Sequence, residues 1–416
     1  MHEAGDRVLV ETSDETIEGT LMPSEGNVVL KLKSGYNIGI SKDRIKKISL
    51  LSKHLAVSEE KARHIAREKS KKSITILHTG GTIASKVDYE TGAVIARFSP
   101  EEIISMFPEL KDIANVDSKL IAQMWSDDMR FEHYQKMAHA VEEELKKNVD
   151  GIIITHGTDT LGYSAAALAF MCEIPIPVIL VGAQRSSDRG SSDAAMNLIC
   201  AAEFVAKTDF AGIAICMHEN MDDNNCVILP PTKTRKMHAS RRDAFKAVND
   251  IPIARINYKT RKIEFLREHK KRSAEAWRIN PKMEDKIALI KIHTNMKREQ
   301  FDVYQGYKGL VIEGTGLGHA PVGLEVNKPI MEGIIDLIKS GTLVAMTSQC
   351  IYGRTHSHVY SNAVKLANAG VIYCEDTLPE TAFIKLAWLL GNYKKKEAAS
   401  LMAENLRGEI SDRSAE

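Results

Sequence analysis

Residues 5–50 combine short alternating runs of apolar and polar residues with turn signals. The runs are separated by Ser-Asp-Glu, Pro-Ser-Glu-Gly and Lys-Ser-Gly. Alternation over so few residues, bounded by turn formers, is typical of β-strands. Five strands in so short a segment predict a small β-barrel with an SH3-like topology. The predicted strands are Arg7–Glu11, Thr16–Leu21, Asn27–Leu32, Tyr36–Ile40 and Ile45–Leu50.

Residues 53–72 differ from the preceding segment in composition, since they are rich in Lys, Arg and Glu and contain neither Gly nor Pro. Apolar residues occur at Leu55, Ala62, Ile65 and Ala66 among others. This pattern predicts a short solvated helix that links the barrel to the rest of the chain.

After Ser73, apolar strands alternate with helical periodicity, which predicts βαβ units and parallel sheets covered on both faces. We therefore expect an α/β protein in which the barrel (1–52) and linker (53–72) precede two α/β domains, 73–252 and 286–416. Residues 253–285 would connect them, with a hairpin-like stretch at Ile253–Arg267. The predicted strands are Ile74–Leu77, Gly151–Thr155, Val178–Val181, Gly212–Cys216, Ile287–Ile292, Gly309–Glu313, Leu343–Thr347 and Val371–Tyr373. The predicted helices are Phe131–Lys147, Leu161–Met171, Asp193–Ala206, Val326–Ser340 and Pro379–Leu390.

Two strand-to-loop junctions carry candidate chemistry. His-Thr-Gly-Gly-Thr-Ile-Ala-Ser follows the first strand at 78–85, and His-Gly-Thr-Asp-Thr follows the second at 156–160. Ligands of α/β sheets bind beyond the carboxyl ends of strands, so both junctions are candidate sites. Each also has a purely structural explanation, since Gly-Gly-Thr is a common turn and Thr158 or Asp159 could cap a helix. Neither junction has the Gly pattern of a dinucleotide or P-loop site.

Together, and in this order, the two motifs resemble those of the L-asparaginase family, over roughly residues 73–388. The resemblance implies an asparaginase-like pair of α/β domains with catalytic residues Thr82, Thr158 and Asp159, and a catalytic lysine further along. The family's lysine precedes a Phe-x-Ala-x-Asn element by nine residues. That element begins at Phe245 here, which favours Lys236 over the nearby Lys233.

The same resemblance implies substrate contacts. Ser126 corresponds to a serine that binds the substrate carboxylate in the family, and Asp127 and Gly81 are expected beside it. The family also uses a tyrosine on a loop after the first threonine. At that spacing this sequence has apolar residues, and the nearest tyrosine is Tyr89.

These residue types suit the cleavage of a carboxamide. An alcohol is a weak nucleophile at neutral pH and needs a neighbouring base, with donors for the oxyanion. Thr82 would attack, and Lys236 beside Asp159 would hold Thr158 or a water in position and accept a proton. Water would then hydrolyse the acyl-threonine after ammonia has left.

Stand-alone asparaginases usually begin close to the first Gly-Gly-Thr strand, whereas here some 70 extra residues stand before Thr82. The stretches Ser85–Val94 and Lys236–Asn249 also look like a particular subfamily. The whole chain resembles the D subunits of archaeal Glu-tRNA(Gln) amidotransferases. This implies that the chain releases ammonia from L-glutamine for an E-type kinase and transamidase subunit. That partner would use ATP and Mg, and Glu-tRNA(Gln) would be bound mainly through it. The resemblance also implies a homodimer within a heterotetramer. A free L-asparaginase with an appended barrel, and a non-catalytic RNA-binding scaffold, remain as alternatives.

The composition of the chain indicates which binding partners and which cellular compartment to expect. Lys and Arg (56) nearly balance Asp and Glu (55), so whole-chain attraction to nucleic acid or membrane is not expected. Six scattered cysteines, no membrane-spanning run and no signal peptide predict a cytoplasmic protein with reduced thiols. No cofactor or metal is expected in this chain, since His356 and His358 lack a third ligand nearby. His319 is expected in a structural turn, and Cys350 lacks a partner base.

Overall fold

A computed structural model describes residues 2–3, 5–22, 24, 26–32, 37–53, 67–80, 86–87, 94–95, 106–185 and 192–413. The amino-terminal strands form one antiparallel sheet in the order β4-β3-β2-β1-β5, with a 3-10 turn at Lys42–Arg44 before β5. Alternate residues, Val8 and Val10 among them, point into a small core. The five predicted strands are thus confirmed as β1 (Arg7–Thr12), β2 (Thr16–Met22), β3 (Val28–Lys31), β4 (Asn37–Ile40) and β5 (Ile45–Ser52).

The predicted linker helix is described only at its carboxyl-terminal end. Residues 54–66 lie outside the described part of the chain, whereas 67–72 form a turn, so the prediction of a helix through Lys72 is wrong. The Asn115 side chain explains the turn, because its Nδ2 donates to the carbonyl oxygens of Glu68 (2.8 Å) and Lys71 (3.0 Å). The chain is thereby fixed against the next domain.

An eight-stranded sheet dominates the first α/β domain, in the order β18-β17-β14-β13-β12-β10-β6-β9. The five strands from β13 to β9 are parallel, as predicted, and the three at the other edge are antiparallel. The strands are β6 (Ser73–His78), β9 (Asn115–Leu120), β10 (Gly151–Thr155), β12 (Pro177–Val181), β13 (Gly212–His218), β14 (Asn225–Leu229), β17 (Ala254–Asn257) and β18 (Ile263–Phe265).

The stretch Ile253–Arg267 does form a hairpin, but its position corrects the prediction that it connects the two domains. Strand β17 pairs with β14, so the hairpin extends the edge of the first sheet. The physical reason is burial, since Ala254 and Ile256 pack into the core on that face. The other predicted domain boundaries stay predictions.

The second α/β domain has a four-stranded parallel sheet in the order β20-β21-β22-β23. Short two-stranded ribbons, β7–β8, β11–β19 and β15–β16, complete the described strands. The sheet strands are β20 (Ile287–Lys291), β21 (Gly309–Gly314), β22 (Leu343–Ser348) and β23 (Ile372–Tyr373). The ribbon strands are β7 (Lys86–Val87), β8 (Val94–Ile95), β11 (Cys172–Glu173), β15 (Thr234–Lys236), β16 (Phe245–Ala247) and β19 (Arg278–Ile279).

The helices cover both sheets, and one apolar core joins the two α/β domains. In that core the helix Leu161–Met171 of the first domain packs on the helix Pro379–Asn392 of the second, with the Phe170 ring stacked on the Trp388 ring. None of the helices in the described ranges is both long and apolar enough to cross a membrane. The helices are α1 (Leu110–Ile113), α2 (Phe131–Lys146), α3 (Leu161–Met171), α4 (Ala194–Lys207), α5 (Glu299–Asp302), α6 (Lys328–Lys339), α7 (Ser361–Asn368), α8 (Pro379–Asn392) and α9 (Lys395–Met402).

Candidate active site

The loop at 156–160 leaves the carboxyl end of β10, a strand that is buried along its whole length. Helix α3 begins at Leu161 with Thr160 in the N-cap position. Thr158 and Asp159 are therefore not the cap of this helix, and the capping explanation for them fails. Their side chains meet Lys236 instead.

Lys236 reaches this loop from the β15–β16 hairpin. Its Nζ lies 2.9 Å from Thr158 Oγ1 and 2.8 Å from Asp159 Oδ1. The Lys236 side chain is 16% exposed and that of Asp159 is 66% exposed, so the ion pair is open to solvent on the carboxylate side. A protonated lysine has only donors, so in that state the Thr158 hydroxyl accepts this hydrogen bond and its own proton stays available to another acceptor.

Lys233, the other candidate lysine, points away from the loop. Its Nζ donates to Asp376 Oδ2 at 2.5 Å and to Ser411 Oγ at 2.9 Å, and both charged side chains are fully buried. Burial lowers the pKa of Lys233, while the neighbouring Asp376 opposes that shift. Of the two lysines, the structure brings Lys236 together with Thr158 and Asp159.

Ser126 holds the loop from the other side. Its Oγ accepts a hydrogen bond from the Asp159 amide at 3.2 Å, and its carbonyl accepts one from Thr160 Oγ1 at 2.6 Å. Gly157 permits this approach, because a Cβ at that position would lie 2.7 Å from Ser126 Oγ. Asp127 follows in the same 3-10 turn and is exposed. Their predicted substrate contacts remain predictions.

A buried histidine fixes the start of the loop. His156 Nδ1 lies 2.6 Å from the Gly157 carbonyl oxygen and must donate, so Nε2 accepts from Ser164 Oγ at 2.8 Å. Burial lowers the pKa of His156 to about 4. The imidazole is therefore neutral at pH 7, and it serves as a fixed hydrogen-bonding group.

The first junction is described only up to Gly80. This glycine has φ +102°, and a Cβ there would lie 2.6 Å from the Met124 carbonyl oxygen, so the turn requires glycine. The predicted nucleophile Thr82 and the predicted substrate contacts Gly81 and Tyr89 lie outside the described residues. Because β6 is the parallel neighbour of β10, both junctions leave the same edge of the sheet.

Three family models match successive parts of the chain. Residues 73–271 match the asparaginase N-terminal family, residues 286–402 the glutaminase/asparaginase C-terminal domain, and residues 2–51 the GatD N-terminal domain. The D subunit of the glutamyl-tRNA(Gln) amidotransferase from Pyrococcus furiosus is 49% identical over 405 residues, covering 94% of this chain and 90% of that protein. Its counterpart from Methanococcus maripaludis strain S2 is 45% identical, covering 98% of each.

The chain belongs to the family of glutamyl-tRNA(Gln) amidotransferase D subunits. Its α/β part is also similar to a solved structure, the thermostable L-asparaginase from Thermococcus kodakarensis, with a TM-score of 0.73 and 29% identity. The similarity covers 99% of that asparaginase but 82% of this chain. The D-subunit family thus combines an asparaginase-like body with an additional amino-terminal domain.

Sequence reasoning missed three residues behind the site of this D-subunit family member. Arg235, Tyr163 and Glu380 line a cavity of about 150 Å³ together with Lys236 and Asp159. Burial raises the pKa of Glu380, although Arg235, with its Nε 3.4 Å from Glu380 Oε1, opposes the shift. Glu380 belongs to α8 of the second domain, and no local motif could have linked it to Lys236.

The remaining candidates lie elsewhere. His319 belongs to a turn after β21 and stacks edge-on against Tyr360. His356 and His358 are exposed, and among the described residues no group of three or more His, Cys, Asp or Glu is placed to hold a metal. Cys350 is exposed and the five other cysteines are buried as free thiols.

Proposed function

We propose that this chain is the amidohydrolase subunit of a tRNA-dependent amidotransferase and releases ammonia from the side-chain amide of glutamine. The observation that carries the proposal is the contact of Lys236 Nζ with both Thr158 Oγ1 and Asp159 Oδ1. It occurs in a chain that also has the amino-terminal domain of the D-subunit family. An alcohol, a carboxylate and a lysine at one strand end form the set that amide hydrolysis needs.

In the first step, Thr82 Oγ bonds to the amide carbon and the C–N bond breaks. The leaving nitrogen needs a proton to depart as ammonia, and the Thr82 hydroxyl supplies it through Thr158 and Lys236. In the second step, water attacks the acyl-threonine and its proton returns to Thr82 Oγ. The sum is amide plus water giving carboxylate plus ammonia. General acid–base assistance of this kind is worth about 10²- to 10⁴-fold in rate.

The ammonia would pass to an E-type partner subunit in the cytoplasm, which would activate Glu-tRNA(Gln) with ATP and Mg and convert it to Gln-tRNA(Gln). This chain has no P-loop motif, so the proposal gives ATP use and most of the tRNA contact to the partner. It also includes a homodimer of this chain within a heterotetramer.

Ammonia release from glutamine and from asparagine tests the proposal. It is measured for the purified chain, and again with a co-expressed E-type subunit, ATP and Glu-tRNA(Gln). We expect glutamine hydrolysis to be weak alone and to rise sharply in the complete complex. Thr82→Val should abolish it without loss of fold, and wild-type turnover by this variant would remove Thr82 from the mechanism.

Fast asparagine hydrolysis by the chain alone, unchanged by tRNA, would contradict the proposal and favour a free asparaginase. The match of residues 2–51 to the GatD N-terminal domain argues against that alternative. No hydrolysis under any condition would favour a non-catalytic scaffold, although the Thr158, Asp159 and Lys236 cluster has no evident use in one.

A further inference from the structure

The segment that carries Lys236 is anchored by the carboxyl-terminal domain as well as by its own. Strand β15 pairs with β16, and within the described ranges this ribbon joins neither large sheet. Its backbone is held from the second domain, where Thr381 Oγ1 donates to the Thr232 carbonyl at 2.9 Å. Asn249, just beyond β16, exchanges two hydrogen bonds with the Gly353 backbone, at 2.9 and 3.0 Å.

Lys233 is the charged centre of this anchor. Its ion pair with Asp376 crosses from the ribbon to the second domain, and Asp376 Oδ1 also accepts the Ser411 amide at 3.0 Å. A fully buried ion pair is costly to desolvate, and apolar replacements are often as stable. Stability alone therefore does not explain why charges occupy this place.

The geometry connects this pair to the reacting groups. Lys233 lies at a bend directly before strand β15, and Lys236 is the last residue of that strand, about 10 Å further along the backbone at ~3.3 Å per residue. A small rotation at Lys233 would move Lys236 Nζ out of hydrogen-bonding distance of Thr158. A misplacement of about 1 Å can cost about 10²-fold in rate.

We propose that the Lys233–Asp376 ion pair is a positioning device, which holds Lys236 against Thr158 and Asp159 and makes the position of the catalytic lysine depend on the second domain. The inference rests on the proposed function, in which Lys236 takes part in the chemistry. Of the reacting groups that the structure describes, Thr158, Asp159 and Lys236, the Lys233 side chain bonds to none.

The test replaces the pair with neutral side chains of similar shape, Lys233→Met with Asp376→Asn, in the complex with the E-type subunit. The chain offers a matched control in Lys385 and Glu409, a second fully buried pair with Nζ and Oε1 2.7 Å apart. Neither of its side chains bonds directly to residues 232–249, so Lys385→Met with Glu409→Gln perturbs a buried charge that does not touch the ribbon. The link that remains runs through Arg407, whose amide donates to Glu409 Oε2 and whose carbonyl accepts from Thr232 Oγ1 at 3.1 Å. Three quantities are measured: kcat and KM for ammonia release, the thermal unfolding midpoint, and the rate at which acetic anhydride labels Lys236 relative to Lys328.

For the Lys233 and Asp376 double variant we expect kcat to fall by about 10- to 100-fold with KM nearly unchanged, and Lys236 labelling to rise. The control should lose similar stability but keep kcat. Unchanged kcat in a folded double variant, or an equal loss of kcat in the control, overturns the proposal. Should the double variant not fold, Thr381→Val removes one anchoring bond, and unchanged kcat and labelling there would be equally decisive.

The labelling arm separates the two proposals. If the wild-type complex releases no ammonia, the proposed function fails. Lys236 labelling then decides alone whether the pair holds the lysine in place, and no rise in labelling overturns the positioning role.

Discussion

The two α/β domains each place a glycine-containing loop after a buried strand, but the loops differ in what surrounds them. The 156–160 loop after β10 meets the Lys236 ribbon beside a cavity of about 150 Å³, and its last residue, Thr160, lines a second cavity of about 760 Å³. The turn after β21 is closed by paired Thr315 and His319 backbone hydrogen bonds and borders a cavity of about 730 Å³. Among the described residues, no Lys, Arg, Asp or Glu lines this last cavity.

Each loop thus borders a cavity of similar size, about 760 and 730 Å³, so cavity size does not distinguish the candidate active site. Both loops lie at carboxyl ends of parallel strands, where backbone geometry favours ligand binding. Among the described residues, the first loop is bonded by the charged Lys236 side chain from a distant segment, whereas the second receives the neutral Tyr373 hydroxyl, which donates to the Gly318 carbonyl at 3.0 Å. The pairing of a hydroxyl with a charged donor distinguishes the candidate active site, and the following variants test this comparison.

Lys236→Met should have the largest effect, because it removes the cation that bonds to the 156–160 loop. The variant loop would then resemble the turn after β21, which has no such cation among the described residues. We expect ammonia release in the complete complex to fall by about 10³-fold, within the range of general acid–base catalysis. Lys328→Met, at an exposed lysine, is the control and should leave the rate unchanged. A loss of less than about tenfold for Lys236→Met would show that the lysine is not part of the chemistry.

Asp159→Asn should have a smaller effect, since the amide oxygen can still accept from Lys236 but the negative charge is lost. We expect a loss of about 10²-fold in kcat for ammonia release. Asp112→Asn, at an exposed carboxylate elsewhere in the domain, is the control. Equal rates for Asp159→Asn and the wild type would mean that the charge of the pair is not needed.

Gly157→Ala tests the close packing that the first loop requires. The new Cβ would lie 2.7 Å from Ser126 Oγ and push the serine away from the Asp159 amide. We expect the unfolding free energy to fall by about 1–3 kcal/mol, as for other overpacked sites, together with a moderate loss of activity. At Gly39 no atom of the described residues lies within 4 Å of an added Cβ, so Gly39→Ala should be neutral. Similar behaviour of the two variants would contradict the packing argument.

His156→Gln should alter the pH dependence of stability rather than the chemistry. The folded-state pKa of about 4 lies below the ordinary 6.5, so the unfolded chain binds a proton that the folded chain cannot. The contribution of neutral His156 to the unfolding free energy is therefore fully present above pH 6.5. It falls by about 3 kcal/mol as the pH drops towards 4. Unfolding midpoints across that range should fall less steeply in His156→Gln. His139→Gln, at an exposed histidine, should keep the wild-type dependence of the unfolding midpoint on pH. If His156→Gln also kept that dependence, the pKa of His156 would not contribute to the stability of the protein.

The regular elements were predicted well where burial dominates. Helix α3 and strand β10 have the bounds that the apolar pattern predicts, because they are buried almost throughout and lie within one core. The antiparallel strands β14, β17 and β18 and the short helices α7 and α9 were missed or misplaced. Their half-buried sequences carry weaker periodicity, and their positions depend on partners that are distant in sequence.

The sequence by itself determined the α/β fold, the five-stranded amino-terminal domain and the two strand-end motifs, since these depend on local periodicity and on a few neighbouring residues. Spacing also favoured Lys236 over Lys233 before any contact was known. Only the tertiary structure decided that Lys236 meets Thr158 and Asp159 while Lys233 turns to Asp376, and that Arg235 and Glu380 lie behind the site. These contacts join residues 77 to 145 positions apart. Those of Lys236 form when the first domain folds, whereas those of Lys233 and Arg235 form only when the two domains pack on one another.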